Sequence, residues 1–403
     1  MNNLRNIARY LGWLIVALVL AALLALIPPT RLAAVGKIKE AAAPEGQVHF
    51  FRVAGPSFER YVDHPNASTK QWLRNHLWRM LSYSPYFDSR LVWYPNAWVY
   101  KDLYALYTDE PLAQQHPEWI LRDAHGNPLY IPWGCENGAC PQYAADVGNP
   151  AFRAYWLAQA GDTLSRGYRG MFVDDVNLEW RVGDNQGNFV QPIDPRTGKA
   201  MTRADWQRYF AEFAEQIWNA FPDKEIVHNA LWFADAPTNP YVQREIDSAD
   251  WINLERGIND GGITGGGGSF GIESFFSYVD SVHSRGKSVV FDEDVSNRRE
   301  REYGVVGWLL INTGWDVYGN SAKWSTPADW WKGYSLNLGA ATSSRYIWKQ
   351  LYRRNFQRGL VLLNPPNAPT RTIHFAHAYR TLEGNLVSSI SLKAHAGIVL
   401  LNQ

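Results

Sequence analysis

The sequence predicts an α/β fold, a (β/α)8 TIM barrel with a small C-terminal antiparallel β domain and an N-terminal transmembrane anchor. Three observations carry this. Short β-rich runs alternate with amphipathic stretches from about residue 47 to 356; runs separated only by turns fill 357 to 403; and an uncharged apolar stretch opens the chain. With 403 residues the chain is long enough for one large core and an appendage.

Residues 1–30 hold the apolar stretch, from Leu11 to Ile27, after Arg5 and Arg9. It is at the short end of what spans a bilayer. Pro28-Pro29-Thr30-Arg31 follows it, where a cleaved signal peptide would have small residues, so an uncleaved anchor is preferred and secretion after cleavage is second. The preceding basic residues place the N-terminus in the cytoplasm. The remainder then lies outside the inner membrane, in the periplasm. Residues 31–46, small and charged, read as a linker.

Eight candidate barrel strands follow, at residues 48–54, 91–94, 143–146, 170–174, 225–229, 250–254, 287–291 and 307–312. Between them, Thr202 and Asp205 form a capping pattern, and Trp206, Tyr209, Phe210, Phe213, Ile217 and Trp218 then recur at helical spacing. A second helix runs from Ile272 to Ser284 and stops at Arg285-Gly286. The glycine-rich segment from Gly261 to Gly271 lacks the Gly-Lys-Ser/Thr of a phosphate loop and reads as a mobile lid over the sixth strand's end. Beyond residue 356 the strands fall at 359–363, 372–375, 379–382, 386–392 and 397–401.

Composition excludes several functions. A formal net charge of zero gives no grip on nucleic acid. No metal motif or nucleotide fingerprint occurs, the 10 His are scattered, and Gly-x-Ser-x-Gly is absent, so no cofactor or metal is expected. Cys135 and Cys140 are spaced to close a small disulfide loop in an oxidising compartment. The 19 Trp, 21 Tyr and 17 Phe provide flat apolar faces suited to sugars, with Trp93, Trp98, Trp133, Trp180, Trp232 and Trp315 expected near the rim.

Barrel active sites lie at the C-terminal ends of the strands, so acids just after apolar β runs are the candidates. Asp174-Asp175 ends the fourth strand, Glu255 the sixth, and Asp292-Glu293-Asp294 the seventh. Two carboxyl groups flanking a bond, one protonated and one ionised, are what glycoside hydrolysis needs. Alternation turns Asp175 and Asp294 the opposite way and makes Asp174 the better choice. It also turns Arg256 away from Glu255. Expected sugar contacts are Tyr94, Asn96, Asp146, His228, Asn229, Asn253, Asp292 and Glu293. Asp175 joins them because the doublet leaves the register open by one residue. A second plan pairs Glu179 with Glu293.

Gly167-Tyr-Arg-Gly-Met-Phe-Val-Asp-Asp175 resembles the fourth-strand signature of the α-galactosidase superfamily of barrel hydrolases. His116-Pro-Glu-Trp-Ile-Leu-Arg-Asp-Ala-His-Gly126, Asp146-Val-Gly-Asn-Pro150 and Asn355-Phe-Gln-Arg-Gly-Leu-Val-Leu-Leu-Asn-Pro365 join it. Together they resemble bacterial enzymes grouped as hypothetical glycosyl hydrolase family fifteen, over about residues 47 to 401. The resemblance implies a nucleophile at Asp174 and a general acid at Glu255, although many relatives carry Asp at the latter position. It implies a glycosidase acting on a bacterial exopolysaccharide or envelope glycan. A non-catalytic polysaccharide-binding or assembly protein and an anchored transglycosylase are the alternatives.

Overall fold

A computed structural model describes residues 41–136 and 138–403. The expected anchor, and the linker up to residue 40, lie outside the described residues. Among the described residues, no helix is long and apolar enough to cross a membrane.

Eight parallel strands close a barrel in sequential order: β1 (Phe50–Val53), β2 (Arg79–Ser82), β3 (Ala97–Asp102), β4 (Gly170–Asp174), β5 (Glu225–Asn229), β6 (Trp251–Arg256), β7 (Ser288–Glu293) and β8 (Val317–Gly319), with β8 pairing back on β1. Strand alternation sets what each residue faces. Phe51, Leu81, Trp98, Phe172, Val227, Trp251, Val290 and Val317, one from each strand, form an apolar ring inside the barrel. The residues between them, such as Val173, Ile226, Leu254 and Val289, face outward into the core under the helices. Burial on both sides explains why strand runs such as Gly-Met-Phe-Val are apolar without interruption.

Three of the expected strands are corrected. Residues 91–94 follow a 3-10 turn, and the strands that belong there are β2 and β3. Residues 142–144 form a two-stranded antiparallel sheet with 105–107, outside the barrel. Residues 307–312 are the end of a helix, Arg298–Ile311, and the eighth strand is the short β8. That helix lies between the barrel and the C-terminal sheet and is buried almost all round, so its apolar run carried no usable period. The helices expected at Thr202 and Ile272 form, at Arg203–Ala220 with a complete Thr202–Asp205 capping box and at Ile272–Ser284.

The C-terminal sheet has six antiparallel strands in the order β9 (Tyr346–Trp348), β10 (Leu351–Phe356), β11 (Gly359–Asn364), β14 (Ala396–Leu401), β12 (Arg371–Thr381), β13 (Leu386–Leu392). It begins at Tyr346, ahead of the expected start at 357. One face, with Val361, Leu363 and Val399, joins the main core. Arg354 donates to the carbonyls of Leu309 and Asn312 at 3.0 and 2.8 Å, satisfying the end of the Arg298–Ile311 helix. Residues 43–46, expected as linker, already bond to the body, with Ala43 N–H on the Gly314 carbonyl and Gly46 N–H on that of Gly339.

The floor of the barrel is closed by an ion pair. Arg79 and Glu225 sit one inward step below the apolar ring and meet through two bonds of 2.9 and 2.8 Å. The Trp98 indole and Arg169 add bonds of 2.7 and 3.0 Å to the same carboxylate. Burial alone would raise the Glu225 carboxyl, but the bonds from Arg79 and then Trp98 override it and hold it below its ordinary range. Arg79 is 1% exposed, so removing Glu225 takes a carboxylate away from a buried cation. Glu225→Ala is expected to cost about 3–5 kcal/mol, measured by denaturant unfolding.

Candidate active site

One inward step above the apolar ring the barrel turns polar. Tyr100 (β3), Asp174 (β4), Asn229 (β5), Asn253 (β6) and Asp292 (β7) each follow a ring residue by two positions. Glu255 lies one further inward step up β6. These residues line a cleft of about 700 Å³ at the C-terminal ends of the strands, which Val53, Leu81 and Phe172 also line.

Asp174 accepts three hydrogen bonds: from the Tyr100 hydroxyl at 2.7 Å, from Asn229 Nδ2 at 2.7 Å and from the Asp175 amide at 2.8 Å. Burial, then the charge of Asp174, raises the Tyr100 phenol, so it stays protonated and donates. Asn229 Nδ2 also reaches Glu255 Oε2 at 3.4 Å. Asp174 Oδ1 and Glu255 Oε2 are therefore no farther apart than 2.7 and 3.4 Å laid end to end, about 6 Å. Asn253 Nδ2 donates to Asn229 Oδ1 at 2.9 Å, which fixes the amide so that its NH2 faces the carboxylates. Asp174 is half-buried and Glu255 exposed, so both are open to a ligand.

Two strand ends depart from alternation in the same way. Asp175 has φ 57° and Arg256 φ 64°, both left-handed, so the chain turns sharply and each side chain rejoins the cleft. The expectation that Asp175 and Arg256 point away is corrected on this ground. Asp175 accepts from Asn177 Nδ2 at 2.9 Å. Burial, then the neighbouring acids, raises both Asp175 and Asp102 above the ordinary carboxylate range. On the opposite wall Asp292 is pushed up to about 7, by burial and then by the charge of Glu255.

The other expected contacts lie elsewhere. Tyr94 is buried and donates to the Leu77 carbonyl at 2.8 Å. Asn96 precedes β3, at the opposite end of the barrel, because the strand starts at Ala97 and not at Leu91. Asp146 is held by Arg196 Nη1, 2.9 Å from each of its oxygens, and is structural. His228 faces outward from β5, buried beside Glu245 at 3.9 Å. Glu293 also faces outward and accepts from the Ile258 amide and Asn259 Nδ2 at 3.0 and 2.8 Å. Its carboxyl lies 2.3 Å from where a Cβ on Gly257 would stand, and Gly257 has φ +53, so only glycine fits there. Glu179 pairs with Arg181 at 3.1 Å and does not line the cleft. Among the six tryptophans, Trp133 and Trp232 line the cleft, whereas Trp98 belongs to the apolar ring.

Sequence reasoning missed Tyr100, Asp102 and Arg181. The signal for the first two was Ala97-Trp-Val-Tyr-Lys-Asp102, a β-rich run ending on an acid as the fourth, sixth and seventh strands do. Cys135 and Cys140 are joined by a disulfide beside Trp133. Trp133, 39% exposed, lies 4.8 Å from the Arg181 guanidinium, which is also 5.9 Å from Phe189. The glycine segment forms two short turns, Gly261–Gly265 and Gly268–Phe270, with Phe270 against Phe233 of the cleft wall at 5.1 Å.

Paired carboxylates above the floor of a closed (β/α)8 barrel define a class, the barrel glycosidases. The chain matches hypothetical glycosyl hydrolase family 15 over residues 85–360, belongs to that family, and is a glycosidase. Comparison with curated proteins gives no match. Among solved structures, the maltogenic α-amylase AmyB of Thermotoga neapolitana is 12% identical, with 88% of this chain and 98% of that one covered and a TM-score of 0.53. The isomalto-dextranase of Arthrobacter globiformis T6, solved with panose, is 13% identical, with 93% and 75% covered and a TM-score of 0.50. These two likenesses concern the fold. The glycoside hydrolase domain of PelA from Pseudomonas aeruginosa is 14% identical, with 68% and 95% covered and a TM-score of 0.42.

The Asp292 carboxyl makes stability pH-dependent. Its folded value, about 7, lies above the unfolded value of about 3.9. The folded state therefore binds the extra proton between these limits, and stability falls as pH rises from about 4 to 7. Asp292→Asn is expected to flatten that fall, seen as a smaller loss of Tm between pH 5 and 8 by calorimetry.

Proposed function

We propose that this glycosidase hydrolyses O-glycosidic bonds of a bacterial exopolysaccharide or envelope glycan with Asp174 as nucleophile and Glu255 as general acid. The observation that carries the pairing is the Asn229 amide bonded to both carboxylates, which limits their nearest oxygens to about 6 Å. Retaining enzymes hold the carboxyl groups roughly 5–5.5 Å apart and inverting ones about 6.5–9.5 Å, so retention is favoured. Asp174 would attack the anomeric carbon and form a glycosyl ester while Glu255 gives its proton to the leaving oxygen. Water, deprotonated by Glu255, would then hydrolyse the ester. The same two positions are those of the α-galactosidase superfamily, which the fourth-strand motif resembles.

The proposed location is the outer side of the inner membrane, with the apolar run Leu11–Ile27 as anchor. A disulfide-closed loop beside the cleft suits that oxidising side. Tethering favours a polymer close to the cell surface over a diffusing nutrient. The exposed Trp133, with Arg181 behind it, is proposed as a stacking platform for one sugar ring.

Two experiments test this reading. Full-length protein is expected to release reducing ends from a panel of bacterial exopolysaccharides. Asp174→Asn and Glu255→Gln, folded by circular dichroism, should each lose about 10²–10⁴-fold in kcat. Binding of a glycan without release by the wild type would replace hydrolysis by a glycan-binding role. Trp133→Ala should raise KM roughly five- to tenfold with little change in kcat, the equivalent of ~1–1.4 kcal/mol of stacking.

A further inference from the structure

The cleft carries more negative charge than two-carboxylate catalysis uses. Besides Asp174 and Glu255 its wall holds Asp102, Asp175, Asp260 and Asp292, against two guanidinium groups, Arg181 and Arg256. Each guanidinium already has an acidic neighbour. Arg181 is paired with Glu179 at 3.1 Å and held near the Trp133 ring, and Arg256 lies 3.8 Å from Asp260. Six carboxyl groups thus face two guanidinium groups across the cleft.

A second, independent feature points the same way. Asn253 is 1% exposed and lines the cleft, yet its Oδ1 accepts no hydrogen bond among the described residues. Its Nδ2 is committed to Asn229, so the buried Oδ1 at the cleft wall is left without a donor. The cleft thus offers acceptors and negative charge, and a ligand must bring donors and positive charge. A neutral sugar brings donors only. A uronate or sulfated sugar brings more negative charge to a wall that already crowds it, at a cost that rises steeply with desolvation. A hexosamine with its amino group free brings an ammonium, three donors with no acceptor.

We infer that the substrate is a glycan with free amino groups on the sugars flanking the cleaved bond, recognised by Asp102 and Asp175 on one wall and Asp292 on the other. This rests on the proposed function for where the bond lies. The non-catalytic acids are placed for it: Asp102 and Asp175 beside the Asp174 side, Asp292 opposite Glu255 in register across β6 and β7. N-acetylation would remove the charge and add bulk, so the same polymer in acetylated form is the weaker ligand.

The test measures binding to full-length Asp174→Asn protein by tryptophan fluorescence, with full-length Glu255→Gln as a second non-turnover variant. The probes are oligomers of glucosamine and of galactosamine with amino groups free, the same oligomers N-acetylated, and oligogalacturonate. Free-amino oligomers are expected to bind at least about tenfold tighter than acetylated ones at low salt. The gap should narrow toward about threefold near 1 M salt, where the screening length is roughly 3 Å. Asp292→Asn in the same background should reduce the preference. Equal binding of free and acetylated forms, tighter binding of oligogalacturonate, or no saturable binding of either free-amino oligomer overturns the inference. If wild-type protein instead releases reducing ends from acetylated or uronate oligomers, hydrolysis stands and the charge inference falls. Free-amino binding with no release by wild type leaves the charge inference standing and removes the hydrolytic reading.

Discussion

Everything above the barrel floor depends on one amide. Neighbouring strands lie about 4.8 Å apart, so residues on β4 and β6 start nearly 10 Å from each other with β5 between them. Side chains of different length must converge over β5 to face a single bond, and Asn229 is the β5 residue at that level. Its NH2 holds Asp174 closely and Glu255 more loosely, while Asn253 pins its carbonyl. The arrangement is possible only because the apolar ring below fixes the phase of all eight strands. A slip of one residue in any of them would turn its polar residue outward into the core.

The barrel interior holds acids at both ends, and their different surroundings separate structure from chemistry. At the floor Glu225 meets two arginines and an indole N–H and is fully compensated. At the mouth Asp102, Asp174, Asp175, Glu255 and Asp292 share a tyrosine hydroxyl, two asparagine amides and a few backbone amides. The first arrangement stabilises a fold. The second leaves acceptor capacity and negative charge facing solvent, a condition that costs stability unless a ligand completes it.

Five barrel strands could be read from the sequence, each as an apolar β-rich run: β4 and β5 to the residue, β1, β6 and β7 within one or two. Those strands carry Asp174, Asn229, Asn253, Glu255 and Asp292, so the central site was legible. β2 begins with a buried arginine and β8 has three residues, too little for any period to register. Leu91-Val-Trp-Tyr94 outscored the neighbouring Ala97–Asp102 on apolarity alone, and that shift lost Tyr100 and Asp102 and wrongly promoted Tyr94 and Asn96. The last kind of failure is geometric. Alternation is a property of extended backbone, and it says nothing about Asp175 or Arg256, whose left-handed φ begins the turn out of the strand.

A displaced carboxyl pKa, taken alone, would have chosen the wrong residues. Glu293 and Glu245 are both pushed up to about 8, more than Asp292, yet both face outward from the barrel or lie under it in the core. Burial is the first cause for all three. What differs is the second cause. Glu245 has no further cause, and for Glu293 backbone and amide donors come next and pull the value down, as befits a buried group serving the fold. For Asp292 it is the charge of Glu255, a second acid open to the same cleft. Repulsion between two acids that share solvent is what a substrate or a developing positive charge can relieve, whereas desolvation inside a packed core is not. Inward register and a charged neighbour in the same cleft, rather than the size of the shift, therefore identify the groups on which a ligand can act.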